Sequence, residues 1–206
     1  MKKPIAILML VTLIVSSCGP AIYMAPDAYQ RTAKHQLIAV LPPKITMRAQ
    51  KNVSAEAMAQ QIKTESLNFQ NEIYKSLLRR KTRGEIFVDF MDVEEANAII
   101  QRTFPDGVYT NAEVCKALGV DGTLSTQFGL SKPMSQGAAI AALVLFGAGG
   151  ATNEVTVNMS IKDCSDNTMF WNYDWRYSGG LGTSPEDLVE ALMRNATRKM
   201  PYNRNS

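Results

Sequence analysis

Apolar and polar positions alternate along this chain with periods that change from segment to segment. An unbroken apolar stretch covers residues 5–15, interrupted only by Thr12. A second short run, Gln36-Leu-Ile-Ala-Val-Leu41, ends at Pro42-Pro43, which suits a buried strand because proline cannot donate to a ladder. Ser54 then precedes Met58, Ile62, Phe69, Ile73 and Leu77, spaced to line one face of a helix that Gly84 ends. Phe87, Val88 and Phe90 predict a second strand. Asp92 with Glu95, and Thr110 with Glu113, have the spacing of capping boxes. Behind the first lie Val93, Ala96, Ile99 and Ile100; behind the second lie Val114 and Leu118, with Gly119 as the stop.

The period then shortens to two. Leu124, Thr126 and Phe128 alternate within 122–130, and Val155, Val157, Met159 and Ile161 alternate with polar residues, as a half-buried strand does. The Asp/Asn-rich stretch 163–167 predicts a turn, and 169–177 the returning strand of a hairpin. Ser184-Pro185-Glu186-Asp187 starts a last helix, whose apolar face carries Leu188, Ala191, Leu192 and Ala196 until Pro201. The expected fold is α/β, a single-domain sandwich over residues 36–202. Its mixed sheet has about five strands, antiparallel at the C-terminal end, and is packed by helices.

The amino end carries an address rather than part of the fold. Lys2 and Lys3 precede the apolar run, and Val15-Ser16-Ser17-Cys18 has the form of a lipobox, an apolar residue and two small ones before a cysteine. The expectation is a signal peptide over 1–17, cleaved to leave Cys18 carrying lipid. An ordinary secretory signal with a chance cysteine is the alternative; a membrane span needs about 20 residues. Two or three acyl chains would anchor the chain stably. Gly19, where an aspartate would suggest inner-membrane retention, places the anchor in the outer membrane of a two-membrane host and in the cell membrane otherwise. Residues 18–35, with Pro20 and Pro26 and no period, are expected to be a lipidated tether, at most ~60 Å long when stretched.

Charge and chemistry narrow the function further. The net charge is +3, and loss of Lys2 and Lys3 leaves +1, so no basic field argues for nucleic acid. Cys115 and Cys164 remain after lipidation, and the sequence leaves open whether they pair. With a single histidine, His35, and no ligand spacing around the cysteines, no metal site is expected. The chain offers no catalytic constellation and no cofactor motif, so it is not expected to be an enzyme. Trp171, Tyr173, Trp175 and Tyr177 fall on one face of the predicted hairpin strand, as core or sheet packing or as an aromatic row for a glycan or partner strand.

The most unusual stretch is an apolar insertion at 133–152. No charged residue lies between Lys132 and Glu154, and Ile140, Leu143, Val144, Leu145 and Phe146 form its apolar centre. Three readings stand: a buried helix on the sheet, an apolar surface for oligomer contact or shallow membrane insertion, and a transmembrane hairpin. The third is disfavoured because lumen-lining strands alternate apolar and polar residues.

In order after the lipobox, Ile38-Ala-Val-Leu-Pro-Pro43, Ala117-Leu-Gly-Val-Asp-Gly122, the strand–turn–aromatic stretch from Met159 to Trp171, and a final helix closing on Met200-Pro-Tyr202 resemble the CsgG/LpoB-like family of outer-membrane lipoproteins. The resemblance covers roughly residues 36–202. It implies that fold and a lipoprotein acting through envelope protein partners, some of whose relatives self-associate as homo-oligomers. One branch of the family builds a secretion channel and another activates a cell-wall synthase. The chain lacks the two long alternating hairpins of the channel-formers. The expected function is an assembly or secretion accessory subunit held to the membrane by its lipid. A regulator of a cell-wall enzyme and a glycan- or ligand-binding module are the alternatives.

Overall fold

The computed structural model describes residues 20–47, 53–130, 153–179 and 184–204. Cys18 and the apolar insertion, including Ile140, Leu143, Val144, Leu145 and Phe146, lie outside these residues. The described chain is an α/β sandwich around a mixed sheet. In order its elements are β1 (Ala21–Met24), α1 (Ala28–Thr32), β2 (Leu37–Val40), β3 (Lys44–Met47), α2 (Ala55–Thr82) and β4 (Asp89–Phe90). There follow α3 (Val93–Thr103), α4 (Asn111–Leu118), β5 (Gly122–Leu130), β6 (Asn153–Asp163), β7 (Met169–Gly179) and α5 (Pro185–Ala196), with a 3₁₀ turn at Thr197–Lys199.

Seven strands lie in the order β1-β7-β6-β5-β2-β4, with β3 also paired to β5. The long antiparallel β5-β6-β7 meander matches the period-two stretches of the sequence, Leu124 opposite Ile161 and Phe128 opposite Val157. β2, β3 and β4 join in parallel. Pro42-Pro43 interrupts the strand without ending it: Leu41 N–H still donates to Leu124 O at 2.9 Å, and pairing with β5 resumes at Lys44. This accounts for one of the two strands beyond the expected five.

The other is β1, and it corrects the expected tether. Residues 20–35 are built into the fold. β1 pairs antiparallel with β7 from Ala21 opposite Asp174 to Met24 opposite Trp171. Behind it Ala28 and Thr32 of α1 are buried. The ladder satisfies a row of β7 backbone groups that would otherwise be open, which is why the segment docks despite its prolines.

The helices form where the caps predict. Ser54 accepts from Ala57 N–H, and Thr110–Glu113 and Ser184–Asp187 are reciprocal capping boxes. Asp92 caps α3 by accepting from the Glu94 and Glu95 N–H groups. Gly119 ends α4 with φ 65°, a conformation that costs glycine nothing. Residues alternate between two cores. Ile38 and Val40 join Phe69, Ile73 and Leu77 of α2 and Leu188, Leu192 and Ala196 of α5 on one face, where Phe69 stacks on Phe128 at 4.2 Å. Ala39 and Leu41 join Ala96 and Ile100 of α3 and Val114 and Leu118 of α4 on the other. The second helical layer covers only the β2 side. Over β6 and β7 that face is polar, with Asn158 Nδ2 donating to Asn172 Oδ1 at 2.9 Å and to Asp174 Oδ1 at 2.6 Å.

Candidate functional site

Three regions hold the residues that the sequence singled out or that the fold brings together. The first is the aromatic row on β7. Trp171 and Tyr173 are fully buried, Trp171 Nε1–H donating to Lys199 O at 2.8 Å, and their rings stack at 5.9 Å. Trp175 and Tyr177 are half-buried and stack at 5.3 Å. Trp171 and Tyr173 therefore belong to the core under α2 and α5, and present no open face to a glycan or a partner strand.

The second region was not legible in the sequence. A polar cleft of about 540 Å³ is lined by Asp27, Arg31, Lys34, His35, Asp121 and Asp163, with Gln30, Cys164 and Ser165. α1 supplies Arg31, whose guanidinium reaches Asp27 at 2.8 Å, Asp166 at 2.7 Å and Asp163 at 3.2 Å. His35, which follows α1, stands with Nε2 3.4 Å from Asp163 Oδ2 and Nδ1 2.6 Å from the Tyr202 hydroxyl. Gly122 lies close under the ring: a Cβ there would come within 3.3 Å of the imidazole and 3.1 Å of Lys162 O, so its neighbours would have to give by a few tenths of an ångström.

The electrostatics follow from these contacts. Burial, with the charges of Asp163 and Asp121, pushes the Tyr202 hydroxyl far above its ordinary pKa. Tyr202 therefore stays protonated, its hydroxyl within hydrogen-bond distance of His35 Nδ1 while Nε2 faces Asp163. Burial pushes Asp163 upward, but hydrogen bonds from the Ser165 side chain and backbone, the facing His35 and Arg31 outweigh it. Its carboxyl ends below the usual range. Hydrogen bonds from Arg31 and the Thr168 backbone lower Asp166 likewise. Asp121 accepts from the Gln36 and Leu37 N–H groups at 2.7 and 3.0 Å.

Arg31, His35, Asp163, Asp166 and Tyr202 thus hold one another. Chemically the cluster joins α1, the β6–β7 turn and the C-terminal segment. Cys115 and Cys164 continue the latch on the other side, joined as a disulfide with Cα atoms 5.6 Å apart. It ties α4 to the same turn and answers the question the sequence left open. Among the described residues no group of three or more His, Cys, Asp or Glu could hold a metal ion.

The third region is the outer edge of the sheet at β1. Ala21, Ile22 and Tyr23 are exposed there, and Tyr29 of the following α1 is exposed too. By register, Met47, Leu130, Asn153 and Gly179 come to one end of the sheet. β1 starts on the side of β7 that leads toward that end, since Ala21 faces Asp174 and Met24 faces Trp171. Ala21 is therefore the end of β1 nearer to the end of the sheet where Leu130 and Asn153 lie. No described helix is long and apolar enough to cross a membrane.

No protein-family model matches this sequence, and no curated protein matches it. Among solved structures, the chain is similar to the PelC dodecamer from Paraburkholderia phytofirmans, with 10% identity over 90% of this chain and 98% of that one and a TM-score of 0.45. Lipoprotein GNA1162 from Neisseria meningitidis shares 11% identity over 80% of this chain and 96% of its own, at a TM-score of 0.43. The C-terminal domain of LpoB from Salmonella enterica shares 11% identity over 69% of this chain and 82% of its own, at a TM-score of 0.37. At these scores the likeness carries no argument about what this chain does.

Proposed function

We propose that this chain is a lipid-anchored envelope lipoprotein that works through protein–protein contacts, as an assembly or secretion accessory subunit. The observation that carries the reading is the position of the fold relative to the lipobox. The chain enters a strand of the fold at Ala21, three residues after Cys18. Three residues span at most ~10 Å, so a domain lipidated at Cys18 sits on its membrane. That favours a subunit working at the membrane surface over a regulator reaching across the cell wall. In a host with two membranes the surface is the periplasmic face of the outer one, and otherwise the cell membrane.

The cleft supports contacts rather than catalysis, because its strongest groups are engaged with one another. Partners are envelope proteins, including a second copy of the chain.

The test begins with the full chain grown with labelled palmitate. The parent takes up label and fractionates with membranes; Cys18→Ser loses both. Extracted in mild detergent after crosslinking in cells, the lipidated protein migrates as a defined multimer or with an envelope partner. A lipidated protein that stays monomeric and crosslinks to nothing would overturn the contact reading. Soluble, unlabelled parent protein would overturn the anchor.

A further inference from the structure

Among the described residues, seven large apolar side chains are more than a third exposed: Ile22, Tyr23, Tyr29, Leu67, Leu78, Val108 and Met169. Leu67, Leu78 and Val108 are scattered, as single exposed apolar residues usually are. Of the other four, Ile22 and Tyr23 are neighbours on β1, the edge strand of the described sheet, while Tyr29 is on α1 and Met169 opens β7. Ile22 is 41% exposed, Tyr23 49% and Tyr29 47%. β1 carries no charge and no proline, and among the described residues no strand pairs with its outer side. Such an edge is a liability in a freely soluble protein.

We propose that this edge seats edge-on against a phospholipid headgroup layer, with Ile22 and Tyr23, one from each face of the sheet, entering the interface. The inference rests on lipidation at Cys18 and goes further, because it assigns a membrane-contacting surface to the folded domain. The length of the leash selects the occupant. At most ~10 Å of chain separates Cys18 from Ala21, and the headgroup layer of one leaflet is itself about 5–8 Å thick. The start of β1 is thus held within reach of that layer. The interface also suits what β1 offers. Tyrosine places its ring at the apolar boundary and its hydroxyl in the headgroups. The unpaired backbone groups of an edge strand find water and polar headgroups there, which the hydrocarbon core would deny them.

The test uses the full, lipidated chain in vesicles of phosphatidylethanolamine and phosphatidylglycerol, with lipids brominated on their acyl chains as the quencher. Ile22→Trp places a reporter on the edge, and Tyr23→Trp is a second reporter should the first disturb the strand. Val108→Trp is the control on the α3–α4 loop, over the opposite side of the sheet. Against the parent's own tryptophans, the emission added at 22 or 23 should be blue-shifted and lose intensity as brominated lipid replaces ordinary lipid. The emission added at 108 should do neither. The mass of the same preparation reports the lipid on Cys18. With Cys18 lipidated, reporters at 22 and 23 quenched no more than the one at 108 overturn the seating alone. Blue-shifted emission that brominated lipid leaves unchanged also overturns it, because the edge is then covered by protein. An unlipidated Cys18 overturns both the seating and the anchor reading.

Discussion

The two edges of the sheet are built in opposite ways. At one, β4 is two residues long, and its Asp89 is ion-paired with Lys81, which also donates to the Val88 carbonyl. β3 continues that side as a second short piece opening on Lys44. Short strands with charge on the rim are the usual defences against pairing with another chain. At the other edge β1 is four residues of uncharged sequence, with Ile22 and Tyr23 open to solvent. One edge is closed by its own chemistry, and the other has no such defence among the described residues. The difference teaches that the two edges differ in what they must exclude, and the proposed anchor at Cys18 would put a surface beside the undefended one.

The largest expected effect comes from unlinking the device that joins the two sides. The disulfide ties α4, which covers the β2 side, to the turn that grips α1 behind β1. Cys115→Ala with Cys164→Ala should lower the unfolding free energy by about 2–4 kcal/mol, given a span of 49 residues. Urea unfolding measures it; no change would mean that the two sides are held independently.

Next comes the latch on the β1 side alone. Asp163→Asn leaves Arg31 and His35 without their shared buried partner, and should cost about 2 kcal/mol in the same measurement. Hydrogen exchange should then quicken at the Ala25 and Arg31 amides while that of Met91, bonded across to Ile38 O beside β4, stays slow. The latch also has a pH dependence of definite sign. Asp163 and Asp166 are lowered from 3.8 in the fold, so their contribution is complete above that value and is lost as the pH falls through the depressed folded values. The parent should therefore lose stability below about pH 4, and Asp163→Asn should lose less over the same range.

This comparison also shows what the sequence could and could not tell. The meander, the long helix α2 and the capped helices were legible because each is decided locally, by a period or by a cap within three residues, as at Thr110 and Ser184. β1 was not, since four residues between Pro20 and Pro26 show no period and the strand exists only because β7 offers its edge. β3 was hidden behind Pro42-Pro43 for the same reason: its pairing with 127–130 is non-local. The polar cleft needs His35 beside residues 128 and 167 positions away. A single histidine amid polar neighbours gave no sign of that, and Cys115 and Cys164 carried no spacing that could show their approach. Alternation puts the aromatic row of β7 on one face but leaves core packing and an open aromatic face as alternatives, and only the burial of Trp171 and Tyr173 decides it for those two.

The smallest effect on stability should come from the defended edge, and it decides whether the comparison is about stability or about association. Lys81 and Asp89 are 30% and 69% exposed in their side chains, and a pair so placed contributes little, about 1 kcal/mol or less. Lys81→Ala with Asp89→Ala should leave the urea midpoint nearly unchanged. If the pair guards the edge, the same variant should self-associate in sedimentation at concentrations where the parent does not. Adding charge at the open edge with Tyr23→Lys should leave the parent's sedimentation in detergent unaltered and weaken its hold on vesicles. A double variant that unfolds as readily as Asp163→Asn would show that Lys81 and Asp89 brace the fold. The asymmetry between the edges would then be a consequence of packing, with no bearing on what each edge meets.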